Sequence, residues 1–150
     1  MTKDDLQFMK RIIIITRKGL LNMNRVYKNR KVKYPCLYSH FKGGVYATMC
    51  VSNPCSDEKI DSMKISNFIR VTNSQCKGFI VVYVGIDGKM YHSQDVVSEE
   101  LVLYKYLGDD SGVFATPVEK FLSEIDREEY PQYLSKYIFE EYKGKVKTHG

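Results

Sequence analysis

Two imidazoles offer proton chemistry in this chain. His40 stands in the run Tyr38, Ser39, His40, Phe41, Lys42, Gly43, Gly44, Val45, Tyr46, beside a glycine pair that reads as a tight turn between two strands. His92 ends a short strand that follows Asp87-Gly88, a strong hairpin signal. An acid–base site needs such a group within reach of an orienting partner. If both rings project from one sheet face, they flank a cleft with Lys42 and Tyr104. The simpler reading has each ring hydrogen-bonded locally and Lys42 in solvent. No serine elbow, phosphate loop, HExxH or dinucleotide fingerprint is present. Glu99-Glu100 and Asp109-Asp110 suggest a metal-dependent nuclease, but adjacent strand residues face opposite ways, and solvated turns are the better reading. No catalytic residue is assigned, and the leaning is towards a protein that is not an enzyme.

Binding is better supplied. Tyr and Phe faces stack on bases while Lys and Arg meet phosphates. The assigned ligand-binding set is Tyr38, His40, Lys42, Tyr46, Arg70, His92 and Tyr104, with Phe79 as further material of the same kind. Its expected ligand is an anion, either a nucleotide-type small molecule or nucleic acid. Four cysteines (Cys36, Cys50, Cys55 and Cys76) raise zinc as an alternative, through the Cys50-x4-Cys55 spacing with Cys36, Cys76 or His40. That spacing is loose and no second CxxC pair exists, so neither metal nor cofactor is assigned.

The elements that must position these groups follow from composition and pattern. At 150 residues the chain reads as one domain with a real core. Its 12 Tyr and 7 Phe, with no Trp, suit half-buried sheets as well as binding surfaces. The net charge of +5 is unevenly spread. Ten basic residues between Met1 and Lys33 face only Asp4 and Asp5. Between Glu99 and Tyr142 eleven acids outnumber four bases. An anionic partner at the front, intramolecular pairing of the two ends, or a head-to-tail homo-oligomer would each account for that pattern. Arg17, Lys18 and Gly19 interrupt any secretory core, and no run approaches the roughly 18 apolar residues needed to span a bilayer. A cytoplasmic chain with reduced thiols and no membrane contact is expected.

Along the chain, Thr2 to Asp5 resembles a capping box that opens a helix with Leu6, Met9, Ile13 and Leu20 on one face, although Ile12 to Ile15 argues for a strand. A third reading starts the chain proper at Met23. The helix is preferred, with residues 1–32 a basic segment. Strands are expected over 32–39, entered at Pro35 and placed at a sheet edge, and over 45–51. Residues 52–77 read as a polar, irregular insertion with a short helix near Asp57 to Met63 and an apolar piece at Ile65 to Val71. The β-branched run from Gly78 to Val84 predicts a strand buried on both faces. Further strands are expected over 89–92, 100–107 and 113–115. Thr116-Pro117-Val118-Glu119 then predicts a capped helix with Val118, Phe121, Leu122 and Ile125 as its stripe, and loss of the Thr116 cap should cost about 1 kcal/mol. Tyr130-Pro131 opens a second helix through Tyr142, followed by a frayed tail with His149. Strands followed by helices predict an α+β fold: a small, strongly bent, barrel-like antiparallel sheet with C-terminal helices.

With these blocks laid out, the chain resembles the bacterial and phage domain-of-unknown-function family numbered 1653. Its pattern Tyr-x-His-Phe-Lys-Gly-x-x-Tyr is met by Tyr38, His40, Phe41, Lys42, Gly43 and Tyr46. A second block looks like Glu100, Leu101, Val102, Tyr104 and Leu107, and a third like Phe114, Pro117 and Phe121. Thr116 stands where that pattern carries arginine, and the stretch between the first two blocks is longer here, with Arg70 its one arginine. The resemblance covers about 33–125 and implies a small β-rich domain without implying an activity. Its occurrence in phages motivates a second functional expectation, a protein that binds and inhibits or sequesters a host defence component in the host cytoplasm. A small hydrolase using His40 and His92 is the third.

Overall fold

The computed structural model describes residues 26–27, 30–76 and 78–144. The expected N-terminal helix and the tail with His149 lie outside them. The elements in chain order are β1 (Val26–Tyr27), β2 (Arg30–Lys31), β3 (Cys36–His40), β4 (Val45–Cys55), α1 (Asp57–Ser62), β5 (Ile65–Asn73), β6 (Phe79–Gly85), β7 (Met90–Ser93), β8 (Leu101–Tyr106), β9 (Val113–Pro117), α2 (Val118–Phe121) and β10 (Phe139–Glu141). Six strands close into a barrel in the order β4-β7-β6-β5-β9-β8 and back to β4. β3 and then β10 extend the sheet from β4 as a flap. The small barrel and the mixed α and β content are as the sequence predicts.

Several details are not. The sheet is not wholly antiparallel: β4 runs parallel to β7, and β5 parallel to β9. Each of these pairs is joined through intervening elements long enough to return the chain in the same direction. The stretch expected to be irregular over 52–77 is regular through most of its described part. Its residues finish β4, form α1 under a Ser56 cap that accepts from the Lys59 amide, and supply β5, a wall of the barrel. β3 is not an edge, because β10 pairs along its free side. The C-terminal helices are absent: α2 is a single turn, Thr116 belongs to β9, and Pro117 caps α2 without a side-chain hydrogen bond. The second expected helix gives way to an irregular strap and β10. Tertiary packing wins there, since the apolar residues at Ile138 and Phe139 serve a sheet partner instead of a helical stripe.

Strict alternation divides the apolar residues into two cores. Val71, Ile80, Val82, Leu101, Leu103 and Ala115 fill the barrel, with Cys50, Ile69 and Met90 beside them. The residues between them on β8 face out, so Val102 and Tyr104 join Tyr38, Val118, Phe121, Leu122 and Phe139 under the flap. A bulge between Thr48 and Cys50 shifts the register of β4. It lets Tyr46 serve the flap side while Cys50 serves the barrel, which an unbroken strand could not do. At the β3–β4 turn Gly44 has φ +97°, and a Cβ there would stand 2.9 Å from the Tyr106 ring. Glycine is required at that position.

Candidate binding cleft

Between the outer wall of the barrel and the flap lies a cleft of about 170 Å³, lined by His40, Tyr46, Ser74, Tyr104, Thr116, Lys120, Phe121, Ile138 and Phe139. β3 delivers His40, β4 Tyr46, β8 Tyr104, β9 Thr116 and α2 Lys120. Ser74 is held at the rim because its amide donates to the Ala115 carbonyl at 3.0 Å. The rings are mutually braced. Phe121 stacks on Phe139 at 4.2 Å, and Phe139 meets the edges of His40 at 5.0 Å and Tyr46 at 5.4 Å. Such offset and T-shaped contacts fix ring orientation as well as bury area.

His40 is set by its own turn. Its Nδ1 accepts the Lys42 amide hydrogen at 3.0 Å, so in the neutral ring the proton sits on Nε2, and the ring presents a donor. Burial, reinforced by the Lys42 charge, pushes its pKa below the ordinary imidazole value and keeps it neutral. The Tyr104 hydroxyl is raised by burial and pairs with Ser74. Lys120 is the one charged side chain of the lining, which contains no carboxylate.

The structure brings three of the seven predicted residues, His40, Tyr46 and Tyr104, into this cleft. Tyr38 lies beneath it, fully buried, with its hydroxyl accepting from the Lys33 amide at 3.0 Å. Lys42 turns to the strap, donating to the Tyr130 hydroxyl at 3.0 Å and sitting 4.4 Å over that ring. Arg70 stands on the outer face of β5 opposite Val81, away from the cleft. His92 points into the barrel at 0% exposure. Its Nδ1 faces the Ser52 hydroxyl at 2.7 Å, and Nε2 faces the carbonyls of Val97 at 3.1 Å and Glu99 at 3.0 Å. The two histidines therefore flank no common cleft. Sequence reasoning missed Ser74, Thr116, Lys120, Phe121, Ile138 and Phe139 as lining. The available signal was the alternation on β9, which puts Thr116 on the face of Phe114 and off that of Ala115.

A larger depression of about 300 Å³ is lined by Lys31, Tyr34, Asn53 and Glu100 over a floor of Val32, Val51 and Val118. It mixes charge signs and holds none of the predicted residues. All four cysteines are free, and among the described residues no three His, Cys, Asp or Glu side chains gather to hold a metal. No helix there is long and apolar enough to cross a membrane. Of the described residues of the basic front, Lys33 pairs with Glu141 at 3.1 Å, and Arg30 donates to the backbone carbonyls of Leu122 at 2.7 Å and Phe139 at 2.6 Å. Compared with protein-family models, curated proteins and solved structures, the chain finds no match.

Proposed function

We propose that this chain is a non-catalytic binding domain that takes a small, ring-bearing anion of the nucleotide type in the cleft under the flap. The observation that carries the reading is the composition of that cleft: aromatic walls from Tyr46, Tyr104 and Phe139, a neutral His40 donor, and Lys120 as the sole charge. Aromatic walls favour a planar ring, and a lone cation at the rim favours an anionic group beside it. The volume is below the roughly 300–1,000 Å³ of sites that enclose a whole drug-sized ligand. A ring fits inside while a phosphate rests at the mouth near Lys120 and Ser74. Binding is favoured over hydrolysis because the His40 Nδ1 already accepts the Lys42 amide, and no carboxylate in the lining orients the ring as a base.

On the resemblance to the family numbered 1653, the position of the family arginine is Thr116, which lines the cleft. Lys120, four residues on, supplies the cation in its place.

The test is thermal stabilisation by purine and pyrimidine mononucleotides and cyclic nucleotides. A rise in Tm is expected for the parent protein and should be lost in Lys120→Ala, whose exposed side chain leaves folding intact. No shift with any of them at millimolar concentration would sink the reading.

A further inference from the structure

On the side of the barrel away from the flap, β5, β6 and β7 turn outwards a face with exposed aromatic residues. Ile80 and Val82 of β6 fill the barrel at 2% and 0% exposure, whereas Phe79, which begins the strand, is 71% exposed and Val81 36%. On β5, Ile69 and Val71 point inwards, which leaves Phe68, 57% exposed, Arg70 and Thr72 facing out. The ladder puts Phe68 opposite Tyr83, Arg70 opposite Val81 and Thr72 opposite Phe79, and Tyr83 is in turn opposite Tyr91 of β7. One rung thus carries Phe68, Tyr83 and Tyr91. The next carries Arg70, and the third Phe79, with rungs repeating every ~7 Å of strand.

The stretch of chain that forms this face is mostly basic. From Lys64 to Lys89 the chain carries Lys64, Arg70, Lys77 and Lys89 against Asp87 alone, a surplus of three. That one carboxylate is already engaged, accepting from the Tyr91 hydroxyl at 2.9 Å and the Lys89 amide at 2.9 Å. Aromatics with an arginine would also suit a protein partner, but the positive surplus of this stretch and the rows of rings across β5–β7 favour a polyanion that carries planar units. Reading duplex DNA needs an element that enters a groove, and the broad outer face of a closed barrel does not enter one. Exposed aromatics on a small barrel, interleaved with cations, are what unstacked bases and their phosphates require.

We infer that the outer face of β5–β7 is a platform for single-stranded nucleic acid, with bases stacked on Phe68, Phe79 and Tyr83 and phosphates met by Arg70 and by Lys64 and Lys89, which precede β5 and β7. This surface is distinct from the cleft under the flap, whose rings and cation come from β3, β4, β8, α2 and β10.

The test is fluorescence anisotropy of labelled oligothymidylate and oligouridylate with the full chain across a salt series. The parent should bind, more tightly at low salt and more tightly than to a duplex of the same length. Phe68→Ala and Phe79→Ala should each weaken binding by about tenfold or more. Arg70→Gln should weaken it and reduce the salt slope by about one. Lys120→Ala, on the other side of the molecule, should bind as the parent does. Melting temperatures should be unchanged in all four variants, since each side chain is exposed. No binding by the parent at low salt overturns the inference. So does a Phe68→Ala/Phe79→Ala double variant that binds like the parent, because the basic N-terminal stretch would then hold the strand.

Discussion

Inside the barrel the Ser52 hydroxyl and the His92 Nδ1 stand 2.7 Å apart, both residues at 0% exposure. With Nε2 donating to the carbonyls of Val97 and Glu99, Nδ1 is the acceptor and Ser52 the donor. The bond ties β4 to its parallel neighbour β7 at a point where no water competes. Removing it strands a buried acceptor, and that costs more than the bond itself contributes. Ser52→Ala should therefore lose about 1–3 kcal/mol of stability, read as a lower urea midpoint at unchanged slope. A midpoint equal to the parent's would show that His92 is satisfied otherwise.

Both described histidines are held below their ordinary pKa by burial, His40 with help from Lys42. Their folded forms prefer to stay neutral, so the unfolded chain takes up protons first as the pH falls. Stability should be full above about pH 6.5, the unfolded value, and decline below it until the folded rings protonate too. Asp87 and Asp109 act in a separate window. Hydrogen bonds hold both below the usual carboxylate range, so their contribution persists above about pH 4 and fades beneath it. Tm measured between pH 8 and pH 5 should fall in the upper window, and His92→Gln should not restore it, because the glutamine cannot reproduce both ring contacts. A Tm independent of pH there would contradict the assignment.

Arg30 clamps the C-terminal region. Its two terminal nitrogens donate to the carbonyls of Leu122 and Phe139, and the guanidinium lies 3.8 Å over the Tyr137 ring. Lysine keeps the charge but loses both the fork and the stacked plane. Arg30→Lys should cost about 1.5–3 kcal/mol, the range for hydrogen bonds to charged groups. Limited proteolysis should cut the strap between Ser123 and Ile138 faster in the variant. Equal rates would mean that β10 is held by its pairing with β3 alone.

Phe139 joins stability to the cleft, since it stacks on Phe121 and edges His40, Tyr46 and Tyr104. Phe139→Ala should cost about 3–5 kcal/mol. Phe139→Leu should keep the fold but release the rings, and so reduce nucleotide-induced stabilisation while oligonucleotide binding is unaffected. Unchanged nucleotide stabilisation in Phe139→Leu would separate the flap from the site.

Burial raises the Cys50 thiol to about 11 and the Cys36 thiol above its usual value, whereas Cys76 is exposed. The thiolate is the reactive form. Alkylation at pH 8 followed by mass spectrometry should mark Cys76 first and Cys50 only on unfolding. Early modification of Cys50 would mean that the barrel opens readily.

Local chemistry carried the strands and turns. Asp87-Gly88 makes the β6–β7 turn because Gly88 adopts φ +80° and the Asp87 carboxylate accepts the Lys89 amide. Gly43-Gly44 makes the β3–β4 turn for the same backbone reason. Thr116 and Pro117 misled, since a capping pattern and a strand end use the same residue types, and only contact with β8 selects the strand. The run from Phe79 to Val84 misled in another way: an unbroken run of apolar and aromatic residues reads as buried on both faces, yet only Ile80 and Val82 are buried in the barrel.

What the sequence determined by itself is the set of β-rich segments, the turns that demand glycine, the uneven charge and the materials of an aromatic, cationic binding surface. These depend on side-chain type and on neighbours a few residues away. Barrel closure, the parallel pairings and the partition of the seven predicted residues were decided by the tertiary structure alone. His40 and His92 went to different faces because a bulge in β4 and the strict alternation of β7 set which side each strand presents. A one-residue shift in register reverses every side chain beyond it, and that shift is settled by how the two cores fill.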